Sequence, residues 1–214
     1  MPFSEDKGTV TQALAALRYN LGAAELRLFE AMSAAVDWLA PIPGKKTLVL
    51  LSTGLDTFGG WDALAEKLRA RDVSIYAVAL GGELRDYRGE AESQLPTGTT
   101  SLSFEEATKK LTTMAEMTGG RVWFPRRSEE LEGIYHELAA HLRHRYSLGF
   151  EPLVRDGRYH RIHVQLVDDK GRVLGPWYDD FPDAASHPAA KPPAKKDRVR
   201  YRLFFRRGYL APTP

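Results

Sequence analysis

A short polar loop directly follows one of the most apolar runs in the chain. The run from Lys46 to Leu51 has no polar side chain after Thr47, which is typical of a strand buried on both faces of a parallel sheet. The next six residues read Ser-Thr-Gly-Leu-Asp-Thr. Open α/β sheets bind ligands beyond the carboxyl ends of their strands, so these hydroxyl groups and this carboxylate form the first candidate binding site. The expected partner-binding residues are Ser52, Thr53 and Asp56.

A second group of possible ligands lies between His136 and His141, where the sequence HELAAH is one residue longer than the zinc motif H-E-x-x-H. Five residues turn an α-helix by about 500°, so the two rings point about 140° apart and cannot share one ion. His141 and His144 have the spacing to share an ion, but on a helix rich in arginine a solvated polar face is favoured. We therefore expect no metal site on this helix.

A basic segment near the C-terminus offers a different chemistry. Its arginines recur at every second residue, which places three guanidinium groups on one face of a strand. Such a face can grip phosphates and bind a polyanion or nucleic acid in a salt-dependent way. The alternative, which we favour, is an outward-facing strand whose charges discourage edge-to-edge pairing. The residues concerned are Lys195, Lys196, Arg198, Arg200 and Arg202.

Composition narrows the class of protein. The chain has 214 residues, 43% of them hydrophobic, and no cysteine, which predicts one core with a small extension and excludes disulfides and thiolate metal sites. No apolar stretch reaches the length of a membrane helix. A net charge of +2 favours no particular partner. Without a cysteine nucleophile, a G-x-S-x-G elbow or a placed pair of carboxylates, we expect no enzyme.

The elements that position these residues alternate between helix and strand, which predicts a parallel α/β sheet. A long polar loop is expected from Gly81 to Ser103. Helices are predicted at Thr9 to Leu17, Ala23 to Leu39, Trp61 to Arg71, Phe104 to Met117 and Ser128 to about Arg145, and strands at Lys46 to Leu51, Ser74 to Leu80 and Arg121 to Phe124.

The pattern changes after residue 145, so we divide the chain into an α/β domain, 1–145, and a β-rich extension, 146–214. The extension is predicted to form strands at Tyr146 to Phe150, Tyr159 to Val167 and Val199 to Phe205. A stretch rich in Pro, Ala and Lys from Ala184 to Asp197 is predicted to be a solvated linker.

This order of segments resembles the von Willebrand factor A-related domain family of bacterial proteins. The resemblance covers nearly the whole chain and rests on the series Thr118-Gly119-Gly120-Arg121, Tyr146-Ser147-Leu148-Gly149-Phe150 and Arg207-Gly208-Tyr209. It implies a Rossmann-like parallel sheet and a non-catalytic module for protein–protein interaction. It also implies an extracytoplasmic location, periplasmic or secreted, although this chain carries no signal peptide.

The resemblance implies a degenerate metal site. Domains of this type usually bind a divalent metal through three loops, and the first loop's Asp-x-Ser-x-Ser motif is absent from this sequence. The second ligand, a threonine, falls at about Leu26, which has no side-chain oxygen. The third, an aspartate, aligns with Thr53, which leaves Asp56 as the nearby carboxylate. Mg²⁺ requires near-octahedral oxygen coordination, so we expect no cofactor unless missing N-terminal residues supply ligands.

The start of the chain, Phe3 to Asp6, resembles the family's stretch just after its third strand, which implies that the first half of the domain is missing. The strand from Lys46 to Leu51 would then be a hydrophobic sheet edge. We therefore expect either a protein partner or self-association, with no membrane span and with nucleic acid as the less favoured partner.

Overall fold

The structure is a computed structural model that describes residues 4–16, 26–82, 103–171, 173–175 and 203–213. These residues form a mixed α/β fold with a three-stranded parallel sheet and five helices. The helices are α1 (Lys7–Ala15), α2 (Leu28–Leu39), α3 (Trp61–Ala70), α4 (Phe104–Thr118) and α5 (Glu130–Arg143). The strands are β1 (Lys46–Ser52), β2 (Val73–Ala79), β3 (Val122–Trp123), β4 (Tyr159–Arg161), β5 (Leu166–Val167), β6 (Val173–Gly175) and β7 (Gly208–Leu210).

The parallel sheet has the order β1-β2-β3. Strand β1 pairs with β2 along its whole length, from Lys46 opposite Val73 to Ser52 opposite Ala79. The prediction that β1 is buried on both faces is wrong for this structure. It is an edge strand among the described residues, and Val49 and Leu51 are 40% and 49% exposed. The central strand β2 is the one that is buried on both faces.

Helices cover the two faces of the sheet unequally. One face packs against α2, α3 and α4, and its core includes Val36, Leu64, Ile75 and Met114. The other face packs against α5 over β2 and β3 alone, where Tyr76 belongs to the buried cluster. Because β2 alternates between the two cores, its odd-numbered and even-numbered side chains face different helices. On β1, Val49 and Leu51 lie beside Tyr76 and Val78 of this cluster but remain exposed.

The series Thr118-Gly119-Gly120 turns the chain from α4 towards β3. The Thr118 hydroxyl accepts a hydrogen bond from the Ile75 amide at 3.1 Å and donates one to the Met114 carbonyl at 2.8 Å. Gly119 ends α4 in the left-handed conformation, with φ at 72°. A Cβ atom on Gly120 would lie 1.8 Å from the Ile75 carbonyl oxygen. The small residues therefore allow the end of the helix to lie directly on the central strand.

The C-terminal region forms two small antiparallel sheets, β4 with β7 and β5 with β6. The predicted strand over Tyr159 to Val167 is thus split in two. The prediction of a strand from Tyr146 to Phe150 is wrong, because these residues form no strand in the structure and Tyr146 is 92% exposed. The Phe150 ring contacts Tyr209 edge-on at 4.9 Å between ring centres.

The remaining predicted elements overlap the described residues only in part. The Gly81 to Ser103 loop, the first residues of the second predicted helix and the strand from Val199 to Phe205 each extend outside them, and the linker lies wholly outside. Leu203 to Phe205, the described end of that predicted strand, are not in a strand. Within the described ranges, no helix combines the length and the apolar character that a membrane span requires. The boundary at residue 145 stays a prediction.

Candidate functional site

The polar loop after β1 lies at the carboxyl end of the sheet, as its position in the sequence predicts. Its first two hydroxyl groups bond to the loop's own backbone. The Ser52 hydroxyl accepts from the Gly54 amide at 3.1 Å, and the Thr53 hydroxyl accepts from the Leu55 amide at 3.4 Å. Such local bonds stabilise a turn, so both side chains hold the shape of the loop.

The Asp56 carboxylate joins the loop to helix α2. One of its oxygens accepts from the Phe29 amide at 3.0 Å, and the other accepts from the Phe58 and Gly59 amides at 2.9 and 2.5 Å. The residue before α2, Arg27, provides no side-chain cap. Asp56 therefore serves as a remote N-terminal cap, since it satisfies a free amide of the first helical turn and places a negative charge beside it.

Thr57 fastens the loop to the segment that precedes α2. Its amide donates to the Leu26 carbonyl at 2.8 Å, and its hydroxyl accepts from the Leu26 amide at 2.8 Å. Leu26 is thus adjacent to the loop, where the family resemblance places a metal-binding threonine. It reaches the loop through its backbone and offers no side-chain oxygen.

An open cavity of about 290 Å³ lies between this loop and the first turns of α4. Gly54 has φ at +79°, and a Cβ there would lie 2.6 Å from Leu111, so the loop packs directly on the helix. Lys110 lies at the cavity wall, with its ammonium group 2.6 Å from Glu106 and 5.1 Å from the centre of the Phe29 ring. The cavity therefore combines a paired positive charge, a carboxylate and backbone groups.

The donor set at this loop does not fit a divalent cation. Three backbone amides occupy three of the about four lone-pair positions of the Asp56 carboxylate, and Leu26 adds no ligand. Among the described residues, no group of three or more His, Asp or Glu side chains is placed to hold a metal. Mg²⁺ needs about six oxygen ligands in near-octahedral geometry, which these side chains do not supply.

A second polar cluster, which sequence reasoning missed, lies on the α5 face of the sheet. Arg121 Nη1 donates to Glu137 Oε1, and Trp123 Nε1 donates to Glu137 Oε2 at 2.7 Å. The His141 ring lies 3.4 Å from Arg121 Nη1 and packs edge-on against Phe204 at 4.8 Å between ring centres. The four-residue spacing of Glu137 and His141 on α5 was the available signal, because it places both on one helical face.

The surroundings of His141 and Glu137 shift the pKa values of both side chains. Burial and the neighbouring Arg121 charge lower the pKa of His141, although the Glu137 carboxylate opposes them. Burial raises the pKa of Glu137, but the bond from Trp123 and the charge of Arg121 outweigh it, and the net shift is downward. The cluster therefore favours an ionised Glu137 and a neutral His141.

The other residues singled out in the sequence behave differently. His136 is exposed, with its Nε2 atom 3.9 Å from Glu132, whereas His141 packs against aromatic rings, so the two histidines do not converge. The basic residues Lys195, Lys196, Arg198, Arg200 and Arg202 lie outside the described residues, and polyanion binding through them stays a prediction.

Comparisons with family models, with curated proteins and with solved structures found no match for this chain.

Proposed function

We propose that this chain is a non-catalytic protein-interaction module of von Willebrand A type, with a Rossmann-like parallel sheet and a degenerate metal-binding site. The order of helix and strand from α2 to α5 and the parallel pairing of β1, β2 and β3 support this proposal. The motif series that carries the family resemblance supports it independently. By the same resemblance, the protein acts outside the bacterial cytoplasm and its partner is another protein.

The observation that carries the proposal is the state of Asp56. A metal-dependent module needs a carboxylate with free lone pairs directed at the ion. Asp56 instead receives three backbone amides and caps α2. The loop then acts as a rigid rim beside the cavity, and recognition depends on shape, charge and apolar contact rather than on a shared metal ion.

The loop carries an exposed aromatic side chain that a protein partner could contact. Phe58 is 60% exposed, and the Arg27 guanidinium carbon lies 4.0 Å from the centre of its ring. Aromatic and arginine side chains are enriched at protein interfaces. In this proposal Phe58 and Lys110 contact the partner, while Ser52, Thr53 and Asp56 keep the loop in the binding shape.

The experiment places a photo-activatable cross-linking amino acid at position 58 in the full chain, expressed in the cells that naturally produce it. The control carries the same amino acid at position 153, since Leu153 is fully exposed at 101% and lies outside the candidate site. We expect a discrete protein adduct from position 58 that is absent from position 153 and is reduced by Lys110→Ala. Identical adduct patterns from both positions would contradict the proposal.

Magnesium provides a separate test. Because the donor set does not fit the ion, we expect added MgCl₂ to leave the thermal midpoint within the change produced by an equal ionic strength of NaCl. A larger rise with MgCl₂ that Asp56→Asn abolishes would show a working metal site and would contradict the degenerate site proposed here.

A further inference from the structure

Residues 203–207, which we call the C-terminal strap, form neither a helix nor a strand. Their backbone crosses the end of α4, since a Cβ atom on Gly119 would lie 2.6 Å from the Arg206 amide nitrogen. The second half of the strap is anchored twice. Arg206 donates to the last carbonyls of α3, and the Arg207 carbonyl accepts from the Ile162 amide at 2.9 Å. The first half of the strap reaches the polar cluster on the α5 face.

Phe204, in this first half, covers the polar cluster. Its ring centre lies 4.8 Å from that of His141 and 5.5 Å from the Arg121 guanidinium carbon. Two further rings contact His141, Tyr76 on β2 and Trp123 on β3, at 6.2 and 6.0 Å between ring centres. Both belong to strands of the parallel sheet, whose backbone pairing holds them in place. Of the three rings, Phe204 is therefore the one that can move without breaking a strand.

The contacts of His141 favour its neutral form. Arg121 Nη1 lies 3.4 Å from His141 Nε2, and an arginine N–H can only donate, so the nitrogen that faces it is favoured as an acceptor. Protonation at Nε2 would place two N–H groups opposite each other. It would also place a second positive charge beside the Glu137 carboxylate, which lies 3.8 Å from Nε2 and is already paired with Arg121.

The groups that face His141 from each neighbouring element do not compensate this charge. Helix α5 presents Glu137, and the residue before β3 presents the positive Arg121. Strand β2 presents the Tyr76 phenol, which stays uncharged because burial raises its pKa. The strap presents the uncharged Phe204 ring. Because the His141 side chain is only 19% exposed, little water reaches it while the strap is closed.

We propose that the C-terminal strap is a pH-sensitive cover, in which protonation of His141 moves Phe204 off the polar cluster while Arg206 and Arg207 stay anchored. Opening hydrates both cations and also opens the cavity of about 180 Å³ between the strap and the α4–β3 connection. Because the anchors lie on α3 and the small β4–β7 sheet, the parallel sheet stays folded. The change is local and reversible.

The direction of the pH effect follows from the two states. Burial and the Arg121 charge lower the pKa of His141 while the strap is closed. An open strap hydrates the ring, so its pKa returns towards the ordinary 6.5. The open state therefore binds the proton more readily, and opening becomes more favourable as the pH falls below about 6.5.

Hydrogen exchange of the full chain, read by mass spectrometry and corrected for the intrinsic effect of pH, tests the proposal. We expect the amides of Leu203 to Phe205 to exchange about tenfold faster at about pH 5.5 than at about pH 7.5, with little change in α4. His141→Gln, which stays neutral, should remove this acceleration. His136→Gln is the matched control on the same helix and should keep it, since His136 is 81% exposed.

Exchange of the strap that does not depend on pH, or acceleration that persists in His141→Gln, would overturn the proposal. An equal acceleration in α4 would do the same, because it would show global unfolding. If His141→Gln fails to fold, nuclear magnetic resonance titration of His141 decides the question. Phe204→Ala removes the cover and should raise the pKa of His141 towards 6.5, whereas an unchanged titration would show that Phe204 does not control the protonation of His141.

Discussion

Arg206 Nη2 donates a hydrogen bond to the Leu68 carbonyl oxygen at 2.8 Å and so caps the C-terminal end of α3. The two residues lie 138 positions apart in the chain. The same side chain donates to the carbonyls of Arg69 and Arg71, each at 2.5 Å. The last carbonyls of a helix have no partner within it and carry the negative end of the helix dipole. The half-buried Arg206 guanidinium therefore joins the C-terminal region to the end of α3.

We expect Arg206→Met to lower the free energy of unfolding by about 2–4 kcal/mol, because several charge-assisted bonds are lost and carbonyl groups are left without partners. Arg206→Lys should lose less, since it keeps the charge but cannot reach all three carbonyls. Urea denaturation measures both values. Arg161→Met, on the small β4–β7 sheet, is the comparison variant, and equal losses from Arg206→Met and Arg161→Met would contradict a specific role for Arg206.

Gly120 should not tolerate a side chain. A Cβ atom would meet the Ile75 carbonyl oxygen at 1.8 Å, so Gly120→Ala requires the α4 end to move off β2 and should destabilise the fold by about 3 kcal/mol. Gly133 provides the matched control, because it lies within α5 and its Cβ would meet nothing within 4 Å. We expect Gly133→Ala to stabilise by about 0.5–1 kcal/mol. Thermal denaturation of the two variants should shift in opposite directions.

Stability should fall on mild acidification because of His141. Its pKa is lowered below the ordinary 6.5 by burial and the Arg121 charge, so the unfolded chain binds the proton more readily than the folded chain. The stability contributed by neutral His141 is therefore complete above about pH 6.5 and decreases as the pH falls towards the folded-state pKa. Glu137, whose pKa is also lowered, adds a loss at more acidic pH, below its ordinary 4.5.

The measurement is the free energy of unfolding in urea between about pH 8 and about pH 5. His141→Gln should flatten the dependence in the upper part of this range. His136→Gln is the control, since the His136 side chain is 81% exposed and should leave the slope unchanged. If the pH dependence persists in His141→Gln but disappears in His136→Gln, it arises from His136, and the prediction for His141 is contradicted.

Asp56 should matter for folding as well as for the proposed binding surface. Asp56→Ala removes the acceptor of three amides, including one in the first turn of α2, and should cost about 1–3 kcal/mol. Asp56→Asn should cost less, because the amide oxygen still accepts. Chemical denaturation provides the values, with the exposed Asp169→Ala as control. A loss no larger than that of Asp169→Ala would mean that Asp56 does not cap α2.

Local patterns were sufficient to place most of the α/β elements. The apolar spacing predicts helices at Trp61 to Arg71 and Phe104 to Met117, and each observed helix ends within one residue of the prediction. The strand β1 was likewise predicted to one residue. These elements follow from side-chain periodicity and from stop signals such as Gly119, which act over a few residues. Tyr76 on β2 and Trp123 on β3 are both buried.

Which strands pair with each other was harder to predict than where helices and strands lie along the chain. Tyr146 to Phe150 alternates as a strand does, yet the described residues give it no partner, and a strand needs one to form its hydrogen bonds. Similarly, the apolar run of β1 reads the same whether the strand is central or at an edge. Its position is set by which other strands are present, and no pattern within seven residues contains that information.

The sequence by itself determined the α/β class, the polar loop at the carboxyl end of β1 and the absence of cysteine chemistry, because each depends on residue type and short spacing. The tertiary structure alone decided that Asp56 caps α2, that Arg206 closes α3 and that His141 lies between Arg121 and Phe204. Those contacts join residues about 20 to 140 positions apart. Spacing along the chain does not specify such contacts, because they form only when packed elements bring distant side chains within hydrogen-bonding distance.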